Sequence, residues 1–146
     1  MSDEPANALF LCTGNSARSI LAEALLNRLG EGRWQGFSAG SFPKGAVHPM
    51  ALQLLGARGF PTAGLRSKSW DEFAAPDAPR LDLVVTVCDN AAGETCPIWP
   101  GRPARQHWGI ADPAAVEGPG QREAFEAAYH ELEARIEAFL AGQADG

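Results

Sequence analysis

Cys12-Thr13-Gly14-Asn15-Ser16-Ala17-Arg18-Ser19 is the stretch whose residue types and spacing bear most directly on chemistry. A cysteine is followed, five residues on, by Arg-Ser, and the residues between are small or turn-forming. A loop of this kind between a strand and a helix curls so that successive N–H groups and the helix N-terminus converge on one point. The Arg18 guanidinium adds a forked donor matched to two oxygens of a tetrahedral anion. The same positive field favours the thiolate of Cys12, its nucleophilic form. The predicted oxyanion-binding set is therefore Thr13, Gly14, Asn15, Ser16, Ala17 and Arg18, with Cys12 attacking and Ser19 donating to its sulfur. The chain has 10 Arg and 11 Ser or Thr in 146 residues. Arg-then-Ser/Thr at these offsets then follows a cysteine by chance roughly once per 200 cysteines. A cysteine that is merely buried is the weaker explanation.

Asp112, in Gly109-Ile110-Ala111-Asp112-Pro113, is a candidate general acid for a leaving oxygen. Asp-Pro alone is a common turn starter; its place after the last predicted strand favours the catalytic role. Cys88 and Cys96 bring the cysteines to three, an odd number that suits catalytic or redox thiols better than a disulfide framework. Zinc sites favour Cys pairs two to four residues apart, and none occurs here, so no metal centre is expected. His48, His107 and His130 read as turn, strand-edge and helix-surface residues.

The elements that must position these groups follow from the hydrophobic pattern. Ala8 to Leu11 is a buried strand running into the Cys12 turn. Leu21, Ala24, Leu25 and Leu29 recur at helical spacing from Arg18, and Gly30 closes that helix. Trp34 to Ala39 is a second strand, and His48-Pro49 opens a second helix over Ala51, Leu54 and Leu55. Leu81 to Val87 is a third strand, nearly continuous in apolar residues as a strand covered on both faces should be. Ala104 to Trp108 is a weaker fourth. Phe125, Ala128, Leu132, Ile136 and Phe139 mark a C-terminal amphipathic helix, with Glu131 and Arg135 spaced to pair. Strands alternating with helices predict a single-domain α/β three-layer sandwich, a four-stranded parallel sheet with helices on both faces. Ligands of such sheets bind beyond the carboxyl ends of the strands. Cys12, Cys88 and Asp112 all follow predicted strands and so converge on that edge.

The bulk properties bound the function. One domain over residues 1–146 is expected, with flexible ends at 1–6 and 142–146. The net charge of −6 argues against nonspecific nucleic-acid binding. The acidic start, Met1-Ser2-Asp3-Glu4, is unlike a signal peptide, and no apolar run reaches membrane-spanning length. A soluble, cytoplasmic protein with neither nucleic-acid nor membrane partners is the expectation.

Taken together, Cys12-x5-Arg18-Ser19 and Asp112-Pro113 resemble the low-molecular-weight tyrosine phosphatase fold. Val87-Cys88-Asp89-Asn90, Thr95-Cys96-Pro97-Ile98, His107-Trp108-Gly109 and Phe37-Ser38-Ala39-Gly40 draw the chain closer to the arsenate reductases of that fold. The resemblance implies arsenate or another phosphate-like oxyanion as ligand and no cofactor. It also implies thioredoxin as reductant, with glutaredoxin or glutathione as the alternative. In the implied mechanism Cys12 attacks arsenate while Asp112 assists departure of an oxygen. Cys88 then releases arsenite by forming a Cys12–Cys88 disulfide, and Cys96 resolves it to Cys88–Cys96. The seven residues between Cys88 and Cys96 are one more than in some relatives. Some members hold a potassium ion beside the loop, with side chains matching Asn15, Glu23 and Ser38 plus an aspartate after the second helix. Here Lys68 stands in the aspartate's place, with two readings open: its ammonium substitutes for the ion and pairs with Glu23, or it is a solvated surface lysine. Two other readings use the same residues: a phosphatase working through Cys12, Arg18 and Asp112 alone, and a non-catalytic arsenic or metal binder.

Overall fold

The computed structural model describes residues 6–12, 14–15, 17–30, 32–75, 77–78, 80–87, 104–110, 113, 116 and 118–144. Thr13, Ser16, Cys88, Cys96 and Asp112 lie outside these. The described residues form β1 (Ala6–Leu11), α1 (Arg18–Leu29), β2 (Trp34–Ala39), α2 (Pro49–Ala57), β3 (Leu83–Thr86), β4 (Ala104–His107) and α3 (Gln121–Ala144). The one-turn 3-10 helix at Trp70–Phe73, capped by the Ser69 hydroxyl accepting from Asp71 N–H, was not legible in the sequence, nor was the one at Gly118–Gly120. One turn is too short to repeat a hydrophobic period.

The strands pair in the order β2-β1-β3-β4, every pair parallel. This is the four-stranded parallel α/β architecture the alternating pattern predicted. Ala8, Leu9, Phe10 and Leu11 of β1 are each at most 1% exposed. Successive strand residues face opposite sides, so β1 is covered on both. β3 is shorter than the apolar run Leu81–Val87, although both end residues are fully buried. At its entry the Asp82 carboxylate accepts the Asn7 N–H at 2.8 Å, tying the chain to the start of β1. All four residues of β4 are exposed, as suits an edge strand.

The packing of α1 on β2 depends on one residue. A Cβ on Gly36 would stand 3.0 Å from the Glu23 carbonyl oxygen and 3.3 Å from Leu26 Cβ. The helix therefore lies close on the strand's backbone, and a side chain at this position would press against it. Asn27 secures the contact, accepting from Gly36 N–H at 2.8 Å and donating to its carbonyl at 3.2 Å. His48 caps α2 by accepting the Met50 N–H on Nδ1 at 3.1 Å, with Pro49 at the first helical position. On α3 the buried stripe is Phe125, Ala128, Tyr129, Leu132, Ile136 and Leu140. The expected Glu131–Arg135 pair does not form. Among the described residues Arg122–Glu126 at 3.3 Å is the Arg–carboxylate pair along this helix, and His130 Nδ1 lies 3.5 Å from Glu133 Oε1. Exposed pairs gain little over solvation, so spacing alone does not decide which of them close. Among the described residues no helix is long and apolar enough to cross a membrane.

Candidate active site

From β1 the chain winds out to β2 at one edge, then returns past β1 to place β3 on its other side. The winding reverses between β1 and β3, and the carboxyl end of that pair is where open parallel sheets bind ligands. Cys12 is the first residue beyond β1. Its N–H reaches the Ala39 carbonyl at the end of β2 at 3.3 Å, and its exposure is only 4%. Val87, just beyond β3, donates to Leu11 O at 2.9 Å and accepts from Ile110 N–H at 3.1 Å. The ends of β1, β2 and β3 and the chain leaving β4 are thus stitched together around Cys12. Cys88 is the next residue after Val87, and Asp112 follows Ile110 by two.

α1 begins at Arg18, and Ala17 supplies no side-chain cap. Its first N–H groups are the kind that an anion satisfies. Arg18 Nη1 donates to the Ile110 carbonyl at 2.9 Å, holding the guanidinium between the loop and the segment leading to Asp112. Asn15 has φ of 45°, a left-handed conformation that asparagine tolerates better than other non-glycine residues. Fully buried, it uses both ends of its amide. Nδ2 donates to Ser19 Oγ at 2.9 Å, and Oδ1 accepts the Lys68 N–H at 2.8 Å. Ser19 is itself fully buried. The loop curvature, the Ser19 hydroxyl and the Lys68 backbone therefore form one connected unit.

Lys68 is held at this place by the end of β2. Gly40 N–H donates to Lys68 O at 2.9 Å, and Trp70 N–H donates to Gly40 O at 3.0 Å. The lysine side chain turns inward and is 8% exposed. Its Nζ stands 3.7 Å from Glu23 Oε1 and donates to Arg66 O at 3.0 Å. The Ser38 hydroxyl donates to the same Glu23 oxygen at 2.5 Å. Burial holds the Glu23 carboxyl above the ordinary carboxylate value, opposed by Ser38, Lys68 and Arg66. Burial also holds the Lys68 ammonium below the ordinary lysine value, opposed by Glu23. The oxygens that would serve a potassium ion are thus engaged already: Asn15 Oδ1 by a backbone N–H, Glu23 by a hydroxyl and an ammonium. These residues do not fit a resident potassium ion.

Of the residues singled out in the sequence, Cys12, Gly14, Asn15, Ala17, Arg18, Ser19, Glu23, Ser38 and Lys68 gather around one loop. Sequence reading missed Ser67. Its hydroxyl donates to the Gly14 carbonyl at 3.1 Å and accepts the Gly45 N–H at 3.2 Å, latching two loops to each other. Nothing local announces it, because its partner lies 53 residues away.

The family model for low molecular weight phosphotyrosine protein phosphatase matches residues 7–144. An arsenate reductase of Shouchella clausii is 35% identical over 132 residues, covering 89% of this chain and 91% of that protein. The solved structure of an arsenate reductase in the phosphate binding state superposes with a TM-score of 0.76 at 27% identity, covering 94% of this chain and 98% of that one. The thioredoxin-dependent arsenate reductase of Corynebacterium glutamicum shares the fold, with a TM-score of 0.74 at 24% identity over all of this chain and 66% of that one. A loop of this sequence at the switch point of this sheet, matched along nearly its whole length, makes the chain a member of the low molecular weight phosphotyrosine protein phosphatase family.

Proposed function

We propose that this protein is an arsenate reductase that works by a three-thiol relay. The Cys12 thiolate attacks arsenic(V), and an oxygen leaves as water with a proton from Asp112, giving a Cys12–arsenic adduct. The loop N–H groups and Arg18 hold the remaining oxygens as their charge shifts. The Cys88 thiolate then attacks Cys12 Sγ. The sulfur–arsenic bond breaks, its electron pair stays on arsenic, and arsenite departs as arsenic(III). The two electrons come from the two thiolates, which are left as a Cys12–Cys88 disulfide. Cys96 attacks Cys88 and frees Cys12, and thioredoxin reduces the resulting Cys88–Cys96 disulfide.

The observation that carries this reading is Cys12 at the head of a Cys-x5-Arg-Ser loop, in a chain with 35% identity to a curated arsenate reductase over most of its length. Within the site, Lys68 acts as a built-in cation: it supplies the positive charge beside Glu23 while its backbone orients Asn15. The direct test is arsenite release in a single turnover by the reduced protein, beside the Cys88→Ser variant. About one arsenite per chain is expected from the wild type and essentially none from the variant. Equal release from both would remove Cys88 from the mechanism.

A phosphatase reading draws on the family model and on Phe42. This side chain is 73% exposed, two residues before the Lys44 N–H that binds the Gly14 carbonyl, and an aromatic ring is the side chain type that stacks on aryl groups. It needs neither Cys88 nor Cys96. Hydrolysis of an aryl phosphate at a rate far above arsenate reduction, and unchanged in Cys88→Ser, would favour it.

A further inference from the structure

The segment between β2 and α2 reaches the anion loop through Lys44. Lys44 N–H donates to the Gly14 carbonyl at 3.0 Å, and that same carbonyl accepts the Ser67 hydroxyl at 3.1 Å. Gly45 supplies the turn, with φ of +87°, and its N–H binds Ser67 Oγ. The Lys44 side chain lies along the loop. Its Cε, Cγ and Cδ are 3.2, 3.3 and 3.4 Å from where a Cβ on Gly14 would stand. The aliphatic stem covers the face of Gly14, one bond short of the ammonium, and Lys44 as a whole is exposed.

The charges of the neighbouring cations are answered by carboxylates. Arg66 pairs with Glu72 through two hydrogen bonds of 3.0 and 2.7 Å, and Lys68 stands against Glu23. Among the described residues no carboxylate pairs with Lys44. The chain as a whole carries −6, a field that repels an approaching dianion. A positive charge carried beside Gly14 of the anion loop opposes that repulsion locally.

We infer that Lys44 is a recruitment residue: its ammonium draws tetrahedral oxyanions to the Cys12 loop and raises their rate of capture without entering the chemical step. This rests on the reading of the loop as an oxyanion site but not on arsenate being its substrate. It predicts charge selectivity at Cys12 for any small anionic reagent.

The test compares alkylation of Cys12 by iodoacetate, an anion, and by iodoacetamide, its neutral counterpart, resolved from the other cysteines by peptide mass spectrometry. Lys44→Met keeps an apolar stem over Gly14 while removing the charge. At low ionic strength the iodoacetate-to-iodoacetamide rate ratio should fall about three- to tenfold in Lys44→Met, and the difference should shrink severalfold in 0.5 M salt. Lys44→Arg should restore the ratio. With arsenate, Lys44→Met should lower kcat/KM by a similar factor and leave kcat within about twofold. An unchanged alkylation ratio in Lys44→Met would overturn the inference and leave the stem a packing element only. A lowered ratio in a protein that reduces no arsenate would uphold Lys44 and defeat the proposed function separately.

Discussion

At the scale of single residues, the site depends on Asn15 being able to take a conformation most side chains resist while using its amide in both directions. Asn15→Gly keeps the backbone conformation and deletes both hydrogen bonds. Leaving buried groups of Ser19 and Lys68 without this partner should cost about 1–3 kcal/mol each at most. The sharper readout is Cys12 itself. In the wild type it should alkylate faster than Cys88 or Cys96 at mildly acidic pH, and phosphate or sulfate should protect it. In Asn15→Gly that protection should weaken at least several-fold, measured as the oxyanion concentration that halves the alkylation rate. Equal labelling of all three thiols without oxyanion protection would contradict the loop's assignment.

At the scale of elements, two contacts set where α1 stands. The first is Gly36 against the Glu23 carbonyl. Gly36→Ala forces the helix off the strand and should destabilise the fold by about 1–3 kcal/mol, read from the urea midpoint. The second is the buried Glu23–Lys68 pair joining α1 to the segment after α2. Lys68→Met strands a carboxylate in the interior, a change that costs up to about 3–5 kcal/mol when the charge cannot be relieved. Glu23 relieves it in part by holding a proton, since burial already raises its pKa. The pH dependence follows from that direction. Between the unfolded carboxylate value and the higher folded value of Glu23, the native chain keeps a proton that the unfolded chain has released. Stability from this group is therefore full below the unfolded value and is lost as pH rises through the folded one. Glu23→Gln should flatten that part of a stability–pH curve measured by urea unfolding. Activity at matched ionic strength should be the same in potassium and sodium, while Lys68→Asp should introduce a potassium preference. A wild type clearly activated by potassium over sodium would remove Lys68 from the cation's role.

At the scale of the whole molecule, the proposed relay requires thiols from two distant parts of the chain, Cys12 and the Cys88–Cys96 segment, to meet in turn. The sheet order supplies the meeting place, because the reversal between β1 and β3 brings Cys12 and Val87 to one edge. The test at this scale is Cys96→Ser. It should release one arsenite and stop with Cys12–Cys88 oxidised, a state that mass spectrometry of the non-reduced protein identifies. Sustained thioredoxin-driven turnover in this variant would show that Cys96 is not the resolving thiol.

The sequence by itself determined what depends on neighbours along the chain. The apolar run of β1, the helical spacing of α1 and α3, and the Cys12–Ser19 spacing are each complete within one element. Their types and approximate limits therefore followed from periodicity and loop chemistry. The tertiary structure alone decided the strand order, the shortening of β3 at Asp82, and the failure of Glu131 and Arg135 to pair. It also decided the support beneath the loop. Ser67 on Gly14 and Lys68 on Asn15 each span 53 residues, and the stem of Lys44 covers Gly14 from a third segment. Such contacts form between pieces that share no periodicity, and a lone serine or lysine in a polar loop reads the same whether it faces water or a buried partner. Lys68 was anticipated through resemblance rather than pattern. Its inward turn is set by the pairing of its backbone with Gly40, a relation that exists only once β2 and the chain after α2 have come together.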